Sequence, residues 1–161
     1  MAQDIFLKIN GIDGESEDAT HKDEIEVLSW SWGVQQQSSM HAGSGGGAGR
    51  ATVQDLKFEH LIDRATPNLT QYCLTGKHID QATLVVRKAG GSPLEYIKFT
   101  MSDVIVTSVN PSGVSASQQR PLEAVTLSFA KLTQEYVVQN AQGGSGGAIT
   151  ATFDIKKNAT A

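Results

Sequence analysis

The stretch Asp23–Gln37 reads Asp-Glu-Ile-Glu-Val-Leu-Ser-Trp-Ser-Trp-Gly-Val-Gln-Gln-Gln and contains both tryptophans of the chain. From residue 28 onward, large apolar residues alternate with small ones. This period of two is typical of a β-strand, whose successive side chains point to opposite faces. The pattern therefore predicts one long strand with a heavy apolar face and a small polar face. The apolar face would carry Leu28, Trp30, Trp32 and Val34, and the opposite face would carry Ser29, Ser31 and Gly33.

Two apolar residues upstream depart from this alternation. Ile25 and Val27 fall on the same parity as the two serines. Their position predicts either a β-bulge within the stretch or a first half that is covered on both faces.

Length and composition indicate one domain over residues 1–161. A chain of 161 residues is long enough for a real core and short for two domains. The net charge of −4 argues against nucleic acid as a partner, because the basic footprint that phosphate binding requires is missing. Apolar runs stay well short of the ~20 residues that a membrane helix needs. The single cysteine, Cys73, excludes an internal disulfide and fits a reducing compartment.

Alternating segments recur along the rest of the chain. Residues 5–9 predict a first strand rather than a signal peptide, and later strands are predicted at 53–62, 82–88, 94–109, 123–138 and 148–156. Met101 and Val104 fall on opposite parities, which predicts a second bulge or a strand that crosses between environments. Together these segments predict a mainly β fold: an antiparallel β-barrel with one short flanking α-helix and long glycine-rich loops. The expected barrel core includes Trp30, Trp32, Phe58, Phe99 and Phe129.

One helix is predicted between Thr66 and Gly76. Thr66 is a typical N-cap residue, Pro67 suits the first helical position, and Gly76 is a typical stop. Leu69, Tyr72 and Cys73 recur at helical spacing and form one apolar stripe.

Catalytic and metal-binding patterns are not found. The four histidines, His21, His41, His60 and His78, have no metal-ligand spacing, and His60 is interpreted as a satisfied histidine at the edge of the core. The glycine run at 43–49 lacks the Lys-Ser/Thr of a phosphate-binding loop and precedes a strand rather than a helix. The sequence therefore predicts no enzyme activity, no cofactor and no metal.

Several motifs in order resemble the Hcp (haemolysin-coregulated protein) family of bacterial type VI secretion systems. The resemblance covers residue 4 to about residue 138. It rests on the segments 12–16, 27–33, 66–69, 75–78, 87–91, 103–104 and 125–130, of which the tryptophan stretch Val-Leu-Ser-Trp-Ser-Trp-Gly and the helix motif Thr-Pro-Asn-Leu are the most specific.

This resemblance implies hexameric rings that stack head to tail into a tube inside a contractile sheath. The tube is expelled together with the spike, and small effectors can be bound and chaperoned in the lumen. The chain would then assemble in the bacterial cytoplasm and be secreted without a cleaved signal peptide. A lumen wall should be polar without being adhesive, which suits Ser29, Ser31 and Gly33, with Ser31 as the first candidate for cargo contact.

Ring stacking is expected at the glycine-rich loop between residues 40 and 50, because glycines allow close approach of a neighbouring backbone. The turn at Gly90 and the basic tail at Lys156 and Lys157 are weaker candidates, and the acidic loop with Glu15, Glu17 and Asp18 could oppose them. The full set of stacking candidates is Met40, His41, Gly45, Gly46, Arg50, Gly90 and Lys157.

Two alternatives from other classes remain open. The first is a small-ligand-binding β-barrel without ring assembly, in which the tryptophan face lines an internal pocket. The second is an enzyme, for which a turnover screen with Ser→Ala variants would be the test.

Overall fold

Strands dominate the computed structural model, which describes residues 2–41, 49–90, 93–142 and 144–160. The single α-helix of this described part is α1 (Thr66–Thr75). The strands are β1 (Gln3–Ile9), β2 (Ile25–Glu26), β3 (Ser29–Ser31), β4 (Val34–Gln35), β5 (Thr52–Val53), β6 (Leu56–Leu61), β7 (Ile79–Lys88), β8 (Leu94–Ser112), β9 (Leu122–Gln139), β10 (Ser145–Asp154) and β11 (Ala159–Thr160).

An antiparallel sheet wraps around one apolar core. Its path runs β11-β10-β9-β8-β7-β1-β2, and β6 pairs with the first part of β9 while β3 pairs with β6. The predicted mainly antiparallel β class with one short helix is confirmed. The barrel is not closed in the described part of the chain, because the path ends at β11 on one side and at β2 on the other.

The predicted long strand at residues 23–37 is wrong: the stretch forms three short strands with three different partners. β2 pairs with β1, β3 pairs with β6, and β4 pairs with β5. Leu28 and Val34 were expected on the core face, yet their side chains are 57% and 56% exposed. The stretch changes its pairing partner from β1 to β6 after β2. This change explains why the buried residues Ile25 and Val27 have odd numbers, whereas Trp30 and Trp32 have even numbers.

The core is filled by side chains from the long strands and β6. Phe58, Phe99 and Phe129 are buried, and Leu84 and Leu127 are completely buried among them. The two tryptophans pack against this core while staying partly exposed, with ring centroids 5.2 Å (Trp30) and 5.5 Å (Trp32) from that of Phe99.

A change of buried face occurs within β8, as the parity of Met101 and Val104 predicted. Both side chains are buried, and Asp103 between them adopts a left-handed conformation with φ of +55°. The pairing register with β9 stays constant across Asp103 and shifts only between Val106 and Ser108. No residue is therefore inserted at this point, and the neighbouring strands change their buried face at the same rows, between Ile79 and Ala82 in β7 and between Phe129 and Leu132 in β9. Asp tolerates the left-handed conformation better than most residues.

Helix α1 begins one residue earlier than predicted, because Ala65 and not Thr66 occupies the N-cap position. The Thr66 hydroxyl instead accepts a hydrogen bond from the Asp63 amide at 3.2 Å and donates to Glu123. Gly76 ends the helix with φ of +64°, a left-handed conformation that costs glycine little. Of the residues on the predicted apolar stripe of the helix, Leu69 is buried, whereas Cys73 is only partly buried.

Candidate functional surfaces

The two candidate lumen serines lie on the exposed face of β3. The antiparallel register places Ser29 opposite Glu59, Trp30 opposite Phe58 and Ser31 opposite Lys57. Since side chains alternate along a strand, Trp30 points to the core and both serines point outward, where they are exposed. The large and small alternation in the sequence therefore has a direct structural counterpart at this strand.

Gly33 is not on this face, because it lies in the link between β3 and β4. Its carbonyl accepts a hydrogen bond from the Gln54 amide at 2.9 Å. A Cβ atom at this position would come within 3.1 Å of the side-chain oxygen of Gln54, whose exposed side chain can rotate away.

Further hydroxyl groups extend the face beyond the two serines. Lys57 of β6 is paired with Thr126 of β9, which places Thr126 in the same row as Ser31. Thr126 Oγ1 lies 2.7 Å from Thr107 Oγ1 and 2.5 Å from Ser108 Oγ. We call Ser29, Ser31, Thr107, Ser108 and Thr126 the hydroxyl face.

Sequence reasoning missed the two β8 members of the hydroxyl face. The outward parity of Thr126 was recognisable, but Thr107 lies at the register shift, where parity changes without a sequence signal. Thr107 also donates to Asp55 Oδ2 at 2.7 Å, so this end of the face carries a negative charge.

An apolar groove opens where β9 and β10 pass beyond the core. It encloses about 320 Å³ and is lined mainly by apolar side chains, namely those of Trp32, Val34, Ala51, Val53, Leu132, Ala151, Phe153 and Ile155. The indole N–H of Trp32 is buried there and has no hydrogen-bond partner among the described residues. On the same face of the β9–β10 pair, Tyr136 and Ile149 lie opposite each other and are 47% and 67% exposed.

Strand β10 also has an edge that is mostly open. One edge pairs with β9, whereas the other pairs with β11 only at Phe153 and Asp154 within the described residues. The segment 145–152 contains no charged residue. Uncharged open edges of this length are sites where another chain can add a strand.

The predicted stacking residues are distributed over several loops. Met40, His41, Gly90 and Lys157 are exposed, and Gly45 and Gly46 lie outside the described residues. Arg50 donates from Nη2 to the Ile155 carbonyl at 2.8 Å, which brings the end of the glycine-rich loop beside the segment that carries Lys157.

The acidic loop opposite these candidates is already engaged within the chain. Arg87 donates to Asp18 Oδ1 at 2.7 Å, and the hydrogen bonds from Arg87 and Thr20 hold the pKa of Asp18 well below its usual range. Glu15 lies 3.5 Å from Arg120 and accepts a hydrogen bond from the Arg64 amide. Similarly, Lys156 of the basic tail pairs with Asp103 at 2.7 Å.

Across the described ranges, His, Cys, Asp and Glu side chains form no group of three that could hold a metal ion. Within those same ranges, α1 is too short and too polar to span a bilayer.

Comparison with known proteins gives a consistent result over the whole chain. The family model described as type VI secretion system effector, Hcp, matches residues 6–136. Protein hcp1 of Pseudomonas aeruginosa is 48% identical over 163 residues, with 100% of both proteins covered.

Solved structures with the same fold include close relatives. The crystal structure of Hcp1 from Salmonella typhimurium is 52% identical, covers 100% of both chains and has a TM-score of 0.82. A structure described as a type six secretion system protein is 28% identical, covers 99% of this chain and 100% of its own, and has a TM-score of 0.94.

Proposed function

The chain belongs to the Hcp family of type VI secretion system proteins, and on that premise we propose that it is the structural subunit of a secreted inner tube. Six copies form a ring, rings stack head to tail, and the sheath and spike of the secretion machine are its further partners. It assembles in the cytoplasm and leaves the cell through the machine. Its role is structural and not enzymatic.

The apolar groove and the open edge of β10 are the observation that carries ring formation. In a cyclic ring each subunit contributes two different patches, so one apolar patch must meet a different patch of the neighbour. Val34, Tyr136 and Ile149 are large apolar side chains left exposed around the groove. Fully burying one such side chain contributes about 1.5–3 kcal/mol, so covering several of them favours assembly.

Stacking is assigned to the loops that carry the candidate residues. Met40, His41 and Arg50, together with Gly45 and Gly46, form the main stacking element in this proposal, with Gly90 and Lys157 as secondary contacts. The hydrogen bond from Arg50 to the Ile155 carbonyl supports a role for this end, because it links residue 50 to the residue that follows β10 at 2.8 Å.

Cargo binding is assigned to the hydroxyl face. Ser29 and Ser31 are exposed, small and uncharged, and such side chains can form hydrogen bonds with many effectors without trapping them. Gly33 is retained as a neighbouring position in the link beside the face, where its carbonyl accepts the hydrogen bond from the Gln54 amide.

Native mass spectrometry at micromolar concentration tests ring formation directly. We expect hexamers for the unmodified protein and a shift to monomers for Ile149→Lys, which places a charge on the exposed apolar face. The matched control is Leu74→Lys on helix α1, where the side chain is 81% exposed and lies outside the groove. A strictly monomeric unmodified protein would overturn the proposal, and dissociation by Leu74→Lys alone would move the interface to the helix.

A small-ligand-binding barrel is the second candidate. It is favoured by the apolar groove and by the Trp32 N–H, which has no hydrogen-bond partner among the described residues. An apolar probe with a hydrogen-bond acceptor would then change tryptophan fluorescence saturably in a monomeric protein. Saturable probe binding by a protein that does not form hexamers would support this candidate. Hexamer formation together with loss of probe binding would support the tube subunit.

A further inference from the structure

Three ionisable side chains meet inside the protein at the junction of β6, β9 and α1. His60 and Glu123 both have fully buried side chains, and His60 Nε2 lies 2.8 Å from Glu123 Oε1. Asp63 is 5% exposed, and its Oδ2 lies 3.7 Å from His60 Nδ1. Burying charged groups is costly unless each has a partner of opposite charge.

The same cluster holds the beginning of helix α1. The Thr66 hydroxyl donates to Glu123 Oε1 at 3.2 Å, and Asp63 Oδ1 accepts a hydrogen bond from the Ala65 amide at 2.8 Å. Glu123 thus connects β9 both to His60 of β6 and to the first residue of the helix. The cluster is therefore in direct hydrogen-bond contact with the start of the helix.

Hydrogen bonding in the cluster is incomplete. Glu123 Oε2 and His60 Nδ1 are buried and have no hydrogen-bond partner in the described part of the chain. The carboxylates of Asp63 and Glu123 both lie beside the single imidazole of His60. When His60 is protonated, the cluster has a net charge of −1. Loss of that proton would leave two buried carboxylates without a cation, which is strongly unfavourable.

Among the described residues, no Lys or Arg side chain forms a hydrogen bond or ion pair with His60, Asp63 or Glu123. Arg120, in the segment that precedes β9, donates to the Ile62 carbonyl and lies 3.5 Å from Glu15, so its charge is directed outward. Glu15 also accepts a hydrogen bond from the backbone amide of Arg64. The uncharged aromatic ring of Phe58 also lies beside His60, with the two ring centroids 5.5 Å apart.

The electrostatic balance favours the protonated form of His60. Burial by itself lowers the pKa of His60, but Asp63 and Glu123 outweigh burial and raise the pKa above its ordinary value of 6.5. A histidine with a raised folded pKa stabilises the fold below its unfolded pKa, and this stabilisation is lost as the pH rises through the folded pKa.

We propose that His60, Asp63 and Glu123 form a charge-dependent lock, in which protonated His60 holds the start of α1 on the barrel and its deprotonation releases it. This device goes beyond the proposed tube function and does not depend on ring assembly. It makes the helix the part of the fold that responds first to alkaline conditions.

Hydrogen exchange of backbone amides between about pH 6 and about pH 9 tests the lock, because this range spans the titration of histidine. After correction for intrinsic exchange, protection in the first turns of α1 should fall about tenfold or more relative to β8 and β9. The Leu69 amide, which bonds the Ala65 carbonyl at 2.9 Å, is a suitable reporter. Equal protection of α1 and the strands across this range would overturn the proposal.

Variants separate the lock from a general effect of pH. The double variant His60→Gln/Glu123→Gln keeps polar side chains at both positions but removes both charges, so protection of α1 should no longer depend on pH. The control His78→Gln alters an exposed histidine that pairs with Asp103 at 2.9 Å, and it should retain the pH dependence. A pH dependence that persists in the double variant would contradict the lock.

A measurement on the unmodified protein covers the case in which the double variant does not fold. An NMR titration of the His60 imidazole should show the proton lost over the same pH range in which α1 loses protection. An imidazole that is already neutral at about pH 6, or that titrates outside the range of helix release, would overturn the proposal.

Discussion

The Arg87 guanidinium donates two hydrogen bonds to the Asp18 carboxylate, from Nη2 to Oδ1 at 2.7 Å and from Nη1 to Oδ2 at 3.0 Å. The same guanidinium reaches Asp4 at 3.0 Å and lies over the Phe6 ring at 5.0 Å. Because Asp18 belongs to the loop between β1 and β2, this pair fastens the loop to the sheet. The acidic loop that was expected to oppose the stacking candidates is therefore held to the sheet through Asp18.

We expect Asp18→Asn to weaken the acid-side pH dependence of stability. The pKa of Asp18 is held well below its ordinary 3.8 by hydrogen bonds from Arg87 and Thr20. A carboxyl with a depressed folded pKa stabilises the fold above its unfolded pKa and loses that contribution as the pH falls through the folded value. Denaturant unfolding at pH values below 3.8 should show a smaller loss of stability in Asp18→Asn than in the unmodified protein.

The control for this prediction is Glu17→Gln in the same loop, where the residue is exposed. It removes one negative charge without removing the contact with Arg87. An equal change in acid-side slope for both variants would attribute the effect to net charge and not to the pair.

Gly14→Ala should destabilise the fold by about 1–3 kcal/mol, the usual cost of forcing an additional methyl group into a packed site. A Cβ atom at Gly14 would lie 2.5 Å from the Glu24 carbonyl oxygen, which is backbone and has no freedom to rotate away. Urea unfolding measures the difference in free energy. The matched control is Gly49→Ala, whose nearest neighbour, Gln37 Cβ, would be 3.5 Å from the new atom. If the two variants are equally stable, the close approach at Gly14 does not constrain the loop.

Position 103 should tolerate glycine better than valine. Asp103 has φ of +55°, and β-branched residues pay the highest cost in the left-handed region. Both substitutions remove the ion pairs with His78 and Lys156, so the difference between them reports the backbone conformation. Thermal unfolding should rank Asp103→Gly above Asp103→Val, and the reverse order would contradict the left-handed conformation.

Ser31→Gln should leave hexamers intact and weaken effector protection, since the longer side chain projects from the exposed side of β3 and does not enter the core. Co-purification of an effector, combined with native mass spectrometry, measures both properties on one sample. Ser115→Gln, in an exposed loop, serves as the control. Unchanged effector binding by Ser31→Gln would remove this residue from the cargo surface.

Much of the fold could be read from local patterns in the sequence. Alternation identified the long strands, because the period of side-chain direction is a property of the backbone itself. Pro67 and Gly76 marked the helix, because the backbone conformations of proline and glycine suit a helix start and a left-handed stop. The motifs around Trp30 and Trp32 pointed to the family to which the chain belongs.

The tertiary structure decided which surfaces are covered. Leu28 and Val34 alternate with the tryptophans as core residues would, yet they are exposed because the stretch changes its pairing partner twice. His60 and Glu123 are 63 residues apart in the chain, and only the pairing of β6 with β9 brings them to 2.8 Å. Alternation reports the direction of a side chain from its own backbone, whereas burial and charge pairing depend on which distant strand lies beside it.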